Sequence, residues 1–160
     1  MTAADMLRDA IAGRLDGWRW EPGLDPETVA AALGTTISTG PILHAGHPRQ
    51  AGTMQVPGEP WPVRAFWDEV GELVLIEVLE PREAPSSAGA VAAFGEPDAK
   101  LPRDTGPHPS YEQFAYLSRG FTLFEWFDLP PAALWLYRPT DHDRYVADLG
   151  ADITPTRQRP

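Results

Sequence analysis

A chain of 160 residues is long enough for one domain and buries roughly 70% of its unfolded surface on folding. With 23 acidic residues against 13 Lys and Arg, a net charge of -10 and no Cys, disulfides and thiolate metal sites are excluded, and nucleic-acid binding is disfavoured because phosphate recognition needs clustered basic charge. The first residues carry acids and no apolar core of the signal-peptide kind, and no run approaches the ~18 apolar residues of a membrane span, so the expected location is the cytoplasm.

Thr2 is placed to cap a helix from Ala3 to Leu15, in which Leu7, Ile11 and Leu15 recur on one face. Gly17 ends it, and Trp18-Arg19-Trp20 alternates like a short strand. Asp25 and Pro26 are a good N-cap and first position for a second helix, with Val29 and Leu33 apolar and Gly34 as its stop. From Thr35 to Pro62 the chain is rich in Gly, Pro, His and Thr, which predicts one short strand and a long loop.

Two strands follow, Val63 to Trp67 and Leu73 to Leu79, around an acidic turn. The second is apolar on both faces, the pattern of a central strand. Ser87 is positioned to cap a third helix ending at Phe94-Gly95. The segment Ser110 to Leu117 reads either as a helix start, with Gln113 completing a capping box, or as an aromatic strand. A second hairpin pairs Phe121–Phe127 with Ala133–Tyr137, and Thr140 with Asp143 caps a last helix ending at Leu149-Gly150. The tail 151–160 is expected to fray.

Three helices end alike, in Ala31-Ala32-Leu33-Gly34, Ala92-Ala93-Phe94-Gly95 and Ala147-Asp148-Leu149-Gly150, and each pair brackets a two-strand run. This predicts a degenerate helix-hairpin repeat, with units over 23–81 and 85–139 and a closing helix over 140–150. The fold class is α+β: a single domain over 1–150, with helices packed on one face of an antiparallel sheet. Glycine is also the default helix stop, which alone would give helices shared endings.

The stretch Gly23-Leu24-Asp25, Val29 and Leu33-Gly34 is similar to the helix motif of the BamE/SmpA-like fold, and Gly95-Glu96-Pro97 echoes it once. A tandem pair of such units resembles the architecture of the beta-lactamase inhibitory proteins. The resemblance implies a protein-binding scaffold and brings no catalytic residue with it.

No nucleophile elbow, phosphate-binding loop or dinucleotide turn is present. His44 and His47 are three apart in a loop without a third ligand nearby, and zinc needs three or four, so no metal is expected. Asp141-His142-Asp143 sits where a helix start explains its acids. Asp68, Glu69 and Glu72 cluster in the first hairpin turn, with Glu125 and Asp128 in the matching place of the second. Turn carboxylates are normally solvated, whereas acid–base catalysis needs tuned ones.

These readings point away from an enzyme and toward a protein-binding module without cofactor, of the immunity type that neutralises a toxin. Its partner would be a protein, and a basic one if the acidic charge steers association. Candidate contacts are Trp18, Trp20 and Trp61 with Asp68, Glu69 and Glu72. A small-ligand-binding domain with an aromatic-lined pocket is the alternative, a small hydrolase the third reading, and self-association stays open.

Overall fold

The computed structural model describes residues 2–102, 111–126 and 130–150. Its helix boundaries follow from capping chemistry. Helix α1 (Ala3–Ala12) starts at a reciprocal box: the Thr2 hydroxyl accepts from the Asp5 amide at 3.0 Å, and the Asp5 carboxylate accepts from the Thr2 amide at 3.2 Å. It stops three residues before Leu15 because Gly13 turns left-handed, at φ +106°. The backbone of Ala84 passes so near that a Cβ on Gly13 would lie 2.2 Å from its nitrogen.

Helix α2 (Pro26–Ala32) has the expected ends: the Asp25 carboxylate accepts from the Thr28 amide at 2.8 Å, and Pro26 opens the first turn. Helix α3 (Ser87–Phe94) is capped by Ser86 and not by Ser87, whose amide and hydroxyl both donate to the Glu125 carboxylate. Helix α4 (His142–Leu149) is capped by Asp141 in place of Thr140; its carboxylate accepts from the Arg144 amide at 2.9 Å.

Eight strands form one fully antiparallel sheet: β1 (Gly40–His44), β2 (His47–Met54), β3 (Val63–Trp67), β4 (Leu73–Leu79), β5 (Ala99–Leu101), β6 (Glu112–Tyr116), β7 (Phe121–Glu125) and β8 (Ala133–Tyr137). The order across the sheet is β1-β2-β3-β4-β8-β7-β6-β5. It consists of two four-stranded meanders, joined where β4 pairs β8 with Glu77 opposite Trp135. A helix, α2 or α3, precedes each meander. The predicted units therefore each contain four strands and not a single hairpin. The Gly- and Pro-rich stretch before Pro62 holds two strands where one was expected, and Ser110–Leu117 yields strand β6. Trp18-Arg19-Trp20 forms no strand: the Trp18 indole donates to the Gly120 carbonyl and the Trp20 indole to the Leu73 carbonyl, both at 2.9 Å. Asp128 and the end of the predicted strand at Phe127 lie outside the described residues.

Alternation along the strands divides the core into two layers. On the first face, Val63, Ala65, Ile76, Val78, Leu123, Leu134 and Leu136 pack with Leu7, Ile11, Val29 and Ala90 of α1, α2 and α3. On the second, Phe66, Leu75, Phe124, Trp135 and Tyr137 pack with Tyr145 and Leu149 of α4. The expectation of helices on one face is thus corrected: α4 crosses the opposite face. A buried polar network draws it there. The Tyr145 hydroxyl donates to Gln113 Oε1 at 2.9 Å and lies 2.8 Å from the Thr122 hydroxyl, which also meets the Tyr137 hydroxyl at 2.7 Å. Burial pushes both phenols above their ordinary pKa, so they stay protonated. The central strands β4 and β8 are covered on both sides, which is why they read as nearly continuous apolar runs.

Candidate binding face at the hairpin end of the sheet

Strands β1 and β2 are joined by Ala45-Gly46, both with positive φ (+53° and +78°), the two-residue turn whose twist matches a hairpin. The last ladder pair between β2 and β3 is Gln50 opposite Trp67, so His47, Pro48 and Arg49 project past the body of the sheet. The first face of this overhang is open to solvent. Pro41, Leu43, Pro48 and Gln50 are exposed there, Leu43 to 74%.

The turn from Asp68 to Glu72 leaves the same end of the sheet. Asp68 folds it, its Oδ1 accepting from the amides of Val70 at 3.0 Å and Glu72 at 2.9 Å. This holds Val70 outward, 81% exposed. Glu69 borders a shallow groove with Pro41, Leu43 and Pro48. The result is an apolar surface with an acidic rim.

The edge of β1 itself is poorly suited to strand addition. Residues flanking a two-residue turn form the hydrogen-bonded pair, and such pairs alternate along an antiparallel ladder. His44, Ile42 and Gly40 therefore pair inward, while Pro41 and Leu43 direct their backbone to the open edge. Pro41 has no N–H to offer, a device that protects edges from further pairing. Contacts at this end fall to side chains.

Around the corner, between the turn and α4, lies a cleft of about 320 Å³ lined by Asp68, Glu72, Arg138, Arg144 and Asp148, with Tyr137 and Tyr145 against its wall. Its charges are mixed. Arg138 stands 3.8 Å from the Glu72 carboxylate and stacks over the Trp20 ring, 4.8 Å from its centroid. Arg138 thus links Trp20 to Glu72.

The structure brings Trp20, Asp68, Glu69 and Glu72 to this end, but with different roles. Glu69 is exposed and Glu72 half-buried, while Asp68 is spent on the turn. Trp18 is a correction: at 7% exposure it belongs to the core. Trp61 is 47% exposed at the opposite end of the sheet, the end where Leu79 and Trp126 also show 40% and 48%. Sequence reasoning missed Leu43 and Val70. The available signal was a large aliphatic residue in each of two segments otherwise built of turn formers.

The histidine pair does not converge. His47 Nε2 lies 3.1 Å from the Ala147 carbonyl and, with Arg49, caps the end of α4. His44 stacks on Phe66, ring centroids 4.5 Å apart, and burial together with Arg49 and Arg64 pushes its pKa down to about 4. Asp141 is an N-cap, and His142 Nδ1 lies 3.7 Å from the Asp143 carboxylate. No group of three or more His, Asp or Glu suited to a metal occurs among the described residues. Glu125, expected in a turn, is fully buried and anchors the start of α3 through Ser87, with the Ser87 hydroxyl at 2.8 Å. No helix among the described residues is long and apolar enough to cross a membrane.

Comparison with known proteins gives no matching family model, curated protein or solved structure.

Proposed function

We propose that this chain is a protein-binding module, of the kind that neutralises a partner by covering it, and that it binds through the projecting β1–β2 hairpin and the Asp68–Glu72 turn. One observation carries the reading: Leu43 and Val70, 74% and 81% exposed, stand beside Glu69 at one end of the sheet. Large aliphatic side chains are costly to leave in water, and an apolar centre with a charged rim is the anatomy of a protein interface. The acidic rim and the net charge of -10 favour a basic partner by speeding encounter. The resemblance to tandem inhibitory scaffolds agrees with this, as does a helix preceding each four-stranded meander. A cytoplasmic immunity protein is the specific form we favour.

The test is affinity capture from the native host with wild-type protein and with Leu43→Asp and Val70→Asp. A basic protein retained by wild type and released by both variants, with circular dichroism unchanged, supports the reading. A partner held equally by all three places the interface elsewhere and overturns it.

The cleft beside α4 favours a second reading, a small-ligand-binding domain, because about 320 Å³ is at the lower end of the range for ligand sites. Its lining is mixed, with six charged residues beside Tyr137 and Tyr145, where the sequence suggests an aromatic pocket. Native mass spectrometry of freshly purified protein separates the two: a retained small molecule displaced by Arg144→Ala selects the ligand-binding domain.

A further inference from the structure

The cleft between α4 and the Asp68–Glu72 turn holds opposite charges that the fold keeps apart. Three guanidinium groups, from Arg49, Arg138 and Arg144, line it together with three carboxylates, from Asp68, Glu72 and Asp148. Some are committed: Arg138 lies 3.8 Å from Glu72 and stacks on Trp20, and Arg49 donates to the Asp148 carbonyl at 3.3 Å. Two are not. Arg144 uses its backbone amide on the Asp141 cap, while its guanidinium has no hydrogen bond or ion pair among the described residues. Asp68 spends Oδ1 on the turn, which leaves Oδ2 without a partner among the described residues.

Helix energetics do not account for Arg144 either. It stands in the first turn of α4, where the helix dipole disfavours a cation, and Asp148 stands in the last turn, where the dipole disfavours an anion. The two are four positions apart, in the less favourable order for such a pair, and they form no ion pair. The charges of α4 that line the cleft thus run against the helix that carries them.

The floor beside these charges is apolar. Val74 and Leu149 lie with the rings of Tyr137 and Tyr145, whose hydroxyls are used in the buried network. The space is about 320 Å³. A ligand of a single charge would be attracted by half of the charged lining and repelled by the other half, whereas a molecule carrying both signs finds a partner for each.

We propose that this cleft binds a small zwitterion, an amino acid or dipeptide with an apolar side chain, Arg144 taking its carboxylate and Asp68 its ammonium. A guanidinium matches carboxylate geometry, and an ammonium donates charge-assisted hydrogen bonds to a carboxylate oxygen. The inference rests on the reading of the cleft as a ligand site and stands apart from the hairpin-end interface.

The experiment is calorimetric titration at low ionic strength with L-leucine and L-alanyl-L-leucine, and with the N-acetylated and C-amidated form of each. The proteins are wild type, Arg144→Gln, Asp68→Asn and Leu43→Asp. Asparagine keeps the side-chain acceptor that folds the turn. Wild type is expected to saturate with leucine or the dipeptide, and the tighter one fixes the length of the ligand. Blocking either end should weaken binding about tenfold. Arg144→Gln should weaken the free ligand by the same factor and leave the amidated form unaffected, and Asp68→Asn should do the same with the acetylated form. Leu43→Asp should change nothing. A blocked form that binds as tightly as its parent, yet is weakened by Arg144→Gln, keeps the cleft as a ligand site and overturns the zwitterion. Absence of saturation with every probe, or full affinity in both Arg144→Gln and Asp68→Asn, overturns the proposal, and native mass spectrometry then decides whether the cleft holds another ligand.

Discussion

The phenol of Tyr145 on α4 donates to the side-chain carbonyl of Gln113, two strands away from the buried Tyr137 that shares its Thr122 partner. Because every member of this network is buried, the loss of one hydroxyl removes hydrogen bonds that water does not readily replace. Tyr145→Phe should destabilise the fold by about 1–3 kcal/mol. Urea denaturation measures it, and amide exchange should accelerate first in α4, which the network ties to the sheet.

Gly13 is the second sensitive point. A methyl group there meets the Ala84 backbone at 2.2 Å in a left-handed conformation that alanine resists. Gly13→Ala should cost about 3 kcal/mol, read from the thermal or urea midpoint.

Stability should also depend on pH through His44. Its folded-state pKa is depressed to about 4 from an ordinary 6.5, so the unfolded chain binds the proton more readily. Its contribution is fully present above about 6.5 and is lost as the pH falls toward 4. The urea midpoint of wild type should fall across that window more steeply than that of His44→Phe. A titration of the imidazole by NMR checks the pKa directly.

At the hairpin end, Leu43→Asp and Val70→Asp should change stability by less than about 0.5 kcal/mol, since both side chains already stand in water. They should nevertheless abolish partner capture. Charge reversal at Glu69 and Glu72 should slow association and flatten its salt dependence, with little effect on dissociation. Asp68 is unsuitable for this test because its carboxylate folds the turn. Trp61→Ala, at the other end of the sheet, should leave binding unchanged. Surface plasmon resonance over a salt series separates these outcomes.

The strands that form the seam were legible because burial on both sides forces an uninterrupted apolar sequence, as in Leu73–Leu79 and Ala133–Tyr137. Capping at Asp25 and Thr2 was equally plain, being local chemistry. Strands β1 and β2 were obscured by their own surface role: half-exposed, with Pro41, Pro48 and Gly52, they look like loop. The side on which α4 packs was invisible because it depends on Tyr145 meeting Thr122 and Gln113, residues whose proximity only the strand order creates. Trp18 misled for the same reason, since its indole partner Gly120 is 102 positions away.

The joining of two meanders through a single pair of strands has a kinetic consequence. Within each meander, neighbouring strands are near in sequence and can zip up from their turns at small entropic cost. The β4–β8 contact instead closes a loop of 58 positions between Glu77 and Trp135, and until it forms neither half has its complete core. Non-local closure of this kind slows folding. The two halves should therefore assemble first and dock late. The Trp135 indole, bonded to Glu77 across that boundary, is a built-in fluorescent reporter of the docking step.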